Sequence, residues 1–181
     1  MGGSSLWRKA GWWVLPLVAG LVVAADQVTK YLVVSRLGLY ESWAPVPELA
    51  RWFGIHLVTN TGAAFGLFQN GSLLLALVAV AVSVVIVMYY HNLPGGQWLV
   101  RLSLGLQLGG ALGNLIDRLR VGHVVDFIDV HLWPVFNLAD SAIVCGVGLL
   151  ILLLLREDRS ARRVIGTEQG PQSSGEQLRS E

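Results

Sequence analysis

Between Gly71 and Tyr90 the chain carries no charged residue. A run of that length and apolarity can cross about 30 Å of hydrocarbon. Composition agrees with a bilayer as the organising solvent: 54% of the 181 residues are hydrophobic and only 14% are charged, against about 25% charged in ordinary soluble domains. A chain this short must still cover its surface, so the deficit does not come from an enlarged core. An integral membrane protein of one compact domain follows. The net charge of +1 argues against a dedicated nucleic-acid binder. Cys145 is the single cysteine, which excludes an intramolecular disulfide and a thiolate zinc cluster. Lying in an apolar run, it reads as a small buried packing residue.

Three further segments have the same character. Residues 12–35 form the first expected span, with Trp12 and Trp13 as interfacial anchors and Pro16 near its start. The basic start and the small residues at Val23-Ala24-Ala25 outline a signal peptide, but the apolar pattern resumes after Lys30 and the later spans need an orienting first helix. Asp26 and Lys30, four residues apart, share one helical face near the end of this span. By themselves they suit an ion pair closing the helix end. The third span is expected over 98–119. Its Gly105, Gly109 and Gly113 recur every four residues and offer a groove for another helix, with Gly110, Asn114 and Arg118 in a row beside it. The fourth is expected over 137–155, with Asn137 as N-cap.

Residues 36–70 differ. Pro45, Pro47, Gly54 and Gly62 interrupt them, the segment after Arg51 alternates and is β-branched in places, and Asn60-Thr61-Gly62 signals a turn. This predicts a small β-rich structure outside the membrane and against it. After Gly122 the stretch HVVDFIDVHLW reads as extended, and Pro134 bars helix propagation through it. Residues 156–181 are polar and read as a disordered tail. The fold class is thus an all-α membrane protein, four transmembrane helices with a small extracytoplasmic β-rich cradle. Residues 1–11 form a cytoplasmic N-terminus and 12–155 the four-span domain. Arg8, Lys9, Arg156, Arg159, Arg162, Arg163 and Arg179 lie at the termini. The excess of positive residues there places both termini in the cytoplasm and the β-rich segment outside.

Chemistry should then lie in Gly109–Ser141, which sets Asp117, Asp126, Asp129 and Asp140, with Arg118 and Arg120, between two spans. Two carboxylates brought close share a proton and can supply base and acid together. A continuous helix would hold Asp126 and Asp140 about 21 Å apart, whereas the break at Pro134 lets the chain turn back. Asp140 also suits a helix N-terminus, and Asp117 could pair with Arg118. Asp126 and Asp129, among Val124, Val125, Phe127 and Ile128, are hardest to explain as surface charge. On these grounds Asp126 with Asp140 ranks only modestly above Asp117 with Asp140. A metal site from His123, Asp126, Asp129 and His131 is a weaker alternative. No HExxH, Walker loop or GxSxG elbow is present.

The motifs Asp26-Gln27-Val28-Thr29-Lys30, Asn60-Thr61-Gly62-Ala63-Ala64-Phe65-Gly66, Gly109-Gly110-Ala111-Leu112-Gly113-Asn114-Leu115-Ile116-Asp117-Arg118, Val124-Val125-Asp126-Phe127 and Phe136-Asn137-Leu138-Ala139-Asp140-Ser141 occur in this order. Together they resemble the successive blocks of bacterial lipoprotein signal peptidase, also called signal peptidase II, over roughly residues 12–155. The resemblance implies an aspartic membrane endopeptidase that cuts prolipoproteins before a diacylglyceryl-modified cysteine. It implies Asp126 and Asp140 as the catalytic pair, a choice that chemistry left open. It also implies that Asn114, Arg118 and Asn137 line the site and Asp117 braces it. Asn60, with Gly62 in its block, belongs to the outer cradle, and Asp26 with Lys30 supports the site from the first span. No cofactor or metal is implied. The expected partners are diacylglyceryl-modified prolipoproteins and the lipid bilayer, with no nucleic acid, and the protein should be a monomer in the bacterial cytoplasmic membrane. A small ion-coupled transporter, using Asp26, Lys30, Asp117 and Arg118, is the competing class. It would need ionisable groups at the bilayer midplane, whereas these cluster at one edge. Asp129 has no role in either reading.

Overall fold

The computed structural model describes residues 11–62 and 71–168. Four helices are long and apolar enough to cross a membrane: α1 (Val14–Val34), α2 (Ser72–His91), α3 (Trp98–Val121) and α4 (Leu138–Glu168). Pro16 lies in the first turn of α1, where a missing N–H removes no helical bond. Glycine at positive φ, Gly122, ends α3. The helix expected to stop near Leu155 runs on to Glu168, which corrects the reading of 156–168 as disordered. Helix propagation needs no new nucleus, and after Leu155 neither proline nor glycine occurs before Gly166. Residues 169–181 of that expected tail, and 1–10 of the N-terminus, lie outside the described residues.

Helix α3 is the axis of the bundle. It is the most buried of the four spans, and α1, α2 and α4 all pack on it. The glycine rows divide the work. A Cβ on Gly109 would lie 2.6 Å from Val22 Cβ and 2.9 Å from Ala19 O of α1, and one on Gly110 would meet Ala139 O and lie 2.6 Å from Ile143 Cγ1 of α4. Backbones approach this closely only because no side chain intervenes. At the end where α1 begins, Leu15, Ala19, Ile86, Tyr90, Leu104 and Leu108 form an apolar cluster. Arg101, buried beside it, donates to Leu93 O and Pro94 O and sits 4.9 Å over the Tyr90 ring. The outward faces of the helices, such as Leu73, Leu77, Val85 and Met88 of α2, are exposed, as a lipid-facing surface requires.

At the opposite end lies a three-stranded antiparallel sheet, β1 (Ser42–Trp43), β2 (Gly54–Asn60) and β3 (Val124–Asp129), in that spatial order. One 3₁₀ turn, Pro47–Leu49, separates β1 from β2. The expected β-rich segment thus contributes two strands, and the extended stretch after Gly122 supplies the third. Register pairs Gly54 with Asp129, Val58 with Asp126 and Asn60 with Val124, with an irregularity between Ile55 and Val58. Residues 63–70 of the expected cradle lie outside the described residues.

Candidate active site

The two strands and three of the helices deliver the polar side chains to one place. Asp126, in the middle of β3, is 2% exposed. Asn60, at the end of β2, donates from Nδ2 to its Oδ2 at 2.8 Å. Asn137 donates from Nδ2 to its Oδ1 at 2.6 Å. Asn137 also precedes α4, and the first turn of that helix carries Asp140. Here the two residues satisfy each other: Asp140 N–H donates to Asn137 Oδ1 at 2.9 Å, and Asn137 N–H to Asp140 Oδ2 at 3.3 Å. This is a reciprocal capping box. Asp140 therefore occupies the helix-start position expected for it, and the cap residue Asn137 also bonds to the other acid. Asn114, from α3, completes the set by donating to Asp140 Oδ1 at 2.7 Å.

The orientation of all three amides is forced. Asn60 Oδ1 accepts the Gly62 N–H at 3.0 Å, Asn137 Oδ1 accepts the Asp140 N–H, and Asn114 Oδ1 accepts from Lys30 Nζ at 3.1 Å. A backbone N–H and an ammonium can only donate, so each amide must turn its oxygen to them and its NH₂ to a carboxylate. The pair is thus surrounded by donors, which favours its carrying negative charge. Burial opposes this. It pushes the Asp126 carboxyl up to about 6, and the Asp140 charge adds to the rise, against the hydrogen bonds from Asn60 and Asn137 and the charge of Lys30.

Behind the pair lies a buried ionic group. Lys30 Nζ is 2.8 Å from Asp26 Oδ2 and 2.7 Å from Asp117 Oδ2. Asp26 is completely buried, and its Oδ1 accepts the Ala139 N–H at 3.0 Å. Asp117 Oδ2 accepts the Val125 N–H at 3.1 Å. Each of these acids therefore grips the residue just before one of the central pair, Val125 before Asp126 and Ala139 before Asp140, and Lys30 ties the two grips together. A charge buried this deeply is tolerated only when paired and hydrogen-bonded. Gln27, quoted in its motif but given no role from sequence, donates to Asp117 Oδ1 at 2.9 Å and to Asp26 Oδ2 at 3.2 Å. Its place one residue after Asp26 was the only signal available. Gly113 has no side chain, which leaves room for Asp26, since a Cβ there would lie 2.7 Å from Asp26 Oδ2.

A cavity of about 840 Å³ opens over the pair, lined by Asp126, Asp140, Asn60, Asn114 and Arg118 at its polar end. Leu75, Val78, Ala79 and Val82 of α2 and Ile143 and Val144 of α4 form its apolar walls. Gly62 lies on the rim as the end of the Asn60 turn. Arg118 donates to Asn114 O at 3.4 Å, while its buried Nε has no hydrogen-bond partner among the described residues. The four residues weighed as metal ligands divide. Asp126 faces Asn60 and Asn137, whereas Asp129 faces His56 and His131.

These features define a polytopic membrane protein with two carboxylates held in one cavity at the sheet end of a four-helix bundle. Residues 18–156 match the family described as Signal peptidase (SPase) II. The lipoprotein signal peptidase of Moorella thermoacetica is 50% identical over 139 residues, covering 77% of this chain and 91% of that relative. The lipoprotein signal peptidase of Pseudomonas syringae pv. tomato is 39% identical over 173 residues, covering 91% and 96%. A solved bacterial membrane enzyme superposes with a TM-score of 0.73 at 32% identity, covering 78% of this chain and 87% of that one. The chain belongs to the signal peptidase II family.

Proposed function

We propose that this protein is an aspartic endopeptidase that removes signal peptides from prolipoproteins by cutting before the diacylglyceryl-modified cysteine, with Asp126 and Asp140 as its catalytic pair. Membership of the signal peptidase II family makes it a multi-pass membrane peptidase acting on prolipoproteins. The observation that carries the finer reading is Asn137, which binds Asp126 through its side chain and Asp140 through its backbone N–H, both acids lining one cavity.

In this reading one carboxylate takes a proton from a water molecule, whose oxygen attacks the scissile carbonyl carbon. The other, protonated, hydrogen-bonds the carbonyl oxygen. Collapse of the tetrahedral intermediate breaks the C–N bond, and the leaving amine receives a proton from the pair. The two acids titrate as a unit, with apparent pKa values that belong to the dyad. Asn60, Asn114 and Asn137 hold the charged oxygens in place, and Arg118 presents a cation to the same cavity. The apolar walls suit a substrate whose acyl chains remain in the bilayer while its peptide crosses the outer-edge site. One chain supplies every one of these residues, so a monomer suffices.

Purified protein should cleave a diacylglyceryl prolipoprotein, and Asp126→Asn or Asp140→Asn should reduce the rate by about 10²–10⁴-fold. Cys145→Ala should retain activity, since Cys145, exposed on the lipid-facing side of α4 and not buried as its apolar run suggested, lines a separate apolar groove with Leu21, Val22 and Ala25. Full activity in either aspartate variant rules out the dyad. Inhibition by EDTA that added metal reverses would replace it with a metallohydrolase.

A further inference from the structure

The end of the bundle where α1 begins holds a charge that the proposed chemistry does not use. Arg101 lies in the first turn of α3 and is 3% exposed. Its stem passes Gly11, where a Cβ would lie 3.7 Å from Arg101 Cδ. Its guanidinium covers the Tyr90 ring, whose hydroxyl donates to Trp12 O. A guanidinium has five N–H groups, and here Nη2 makes both hydrogen bonds, to Leu93 O at 3.3 Å and Pro94 O at 3.2 Å. Nε is buried without a partner, and Nη1 makes no hydrogen bond among the described residues. Lys30, the other buried cation among those residues, has two carboxylates against it, whereas none lies within ion-pair distance of Arg101.

A cation taken out of water is tolerated when an anion offsets it. Two carbonyl dipoles and an aromatic face do part of this, and the position of Arg101 says what does the rest. It stands at the start of a helix long and apolar enough to cross a membrane. Trp98 lies one turn before it, Trp12 and Trp13 follow Gly11, and all three indoles are exposed. Such side chains settle at the headgroup layer of a bilayer, where the abundant anion is phosphate. The N-terminus of α3 favours the same ligand. No side chain caps this 24-residue helix, its first N–H groups have no helical carbonyl to bond, and its dipole is positive there.

We propose that Arg101 and the uncapped N-terminus of α3 form a phosphate-binding site, filled by the headgroup phosphate of a bilayer phospholipid. The phosphate takes the Nη1 donors that the chain leaves unused and supplies the negative charge that the fold does not. The lipid is thereby held at the α2–α3 link, at the end of the bundle away from the cavity. This site stands whether or not Asp126 and Asp140 prove catalytic, because it shares no residue with them.

The test titrates the full chain, stripped of lipid in detergent, with phosphatidylglycerol, with diacylglycerol of the same acyl chains, and with inorganic phosphate. Binding is read by native mass spectrometry and by thermal melt. Phosphatidylglycerol should raise the melting temperature of wild type, and diacylglycerol, which lacks only the phosphate headgroup, should not. Arg101→Gln should weaken retention of phosphatidylglycerol by about tenfold or more. Arg101→Lys, which keeps the charge, should weaken it less, and Arg36→Gln, exposed at the opposite end, should leave it unchanged. Stabilisation by inorganic phosphate that Arg101→Gln abolishes supports the phosphate site and assigns it a soluble source. Should Arg101→Gln fail to fold, the comparison of phosphatidylglycerol with diacylglycerol on wild type decides alone. Equal stabilisation by those two lipids, or equal retention by wild type and Arg101→Gln, overturns the site and leaves Arg101 as a clasp on the α2–α3 link.

Discussion

Asn137 makes four side-chain contacts from one amide: it accepts from Asp140 N–H and donates to Asp126 Oδ1, Asn114 Oδ1 and Val125 O. Hydrophobic replacement would satisfy none of these groups, and a buried donor or acceptor left unmade costs about 1–3 kcal/mol. The same crowding sets the proton balance at Asp126. Its folded value of about 6 lies above the ~3.9 of a free aspartate. The stability it contributes is therefore present below that lower value and lost as the pH rises through about 6. Thermal melts in detergent should show this: between pH 4 and pH 7 the melting temperature of wild type should fall more steeply than that of Asp126→Asn. Parallel slopes would contradict the burial argument. Some of this was legible in the chain. Asp126 among apolar β-branched neighbours announced a buried carboxylate, and Asn137 three residues before Asp140 announced a cap. The partners of Lys30 on α3, Asn114 and Asp117, were not legible, because they lie 84 and 87 positions away and no local spacing connects them.

Among elements, the contacts of α3 are decided by where side chains are missing. Gly109 admits α1 and Gly110 admits α4, so neighbouring residues of one helix serve different partners. The repeat of glycines every four residues predicted one close-packed face, and the second row beside it proved to be a second interface. Gly110→Ala must displace the start of α4, where Ala139 and Asp140 lie. It should destabilise the protein by about 1–3 kcal/mol and lower cleavage with it. Gly148→Ala, on an exposed part of α4 with no atom within 4 Å of the added methyl, should be neutral or stabilising by up to about 1 kcal/mol. Melting temperatures of the two variants make the comparison, and equal effects would count against the packing account. The sheet was less legible than the helices. Its pairing joins β2 to β3 across α2 and α3, and strand-like sequence reveals neither partner nor register.

For the molecule as a whole, apolar length gave the spans to within a few residues, because hydrocarbon thickness fixes it. The extent of α4 past Leu155 escaped that logic, since helix continues into polar sequence once a span has nucleated it. Orientation is a separate matter, set by charge. The positive residues at the termini favour an orientation with both ends cytoplasmic, and in that orientation the sheet and the proposed dyad would face the outside of the cell membrane. In a Cys145→Ala background, a membrane-impermeant maleimide applied to intact cells or spheroplasts should label Ser42→Cys of β1 and spare Asn92→Cys in the α2–α3 link. The reverse pattern would invert the topology and remove the dyad from the side where exported substrates arrive.

The hydrogen bond from Ala139 to Asp26 joins positions 113 residues apart, and this has a consequence for biosynthesis. The ribosome delivers Asp26 and Lys30 more than a hundred residues before Asn137, Ala139 and Asp140. While α4 is still unmade, the chain lacks Asp140 and the Ala139 N–H that Asp26 accepts. On the proposed assignment of Asp126 and Asp140, the nascent chain would lack peptidase activity toward other proteins passing through the same export machinery. On that assignment activity would begin only when the last helix docks, and completion of synthesis would serve as the latch that a separate inhibitory propeptide provides in other proteases.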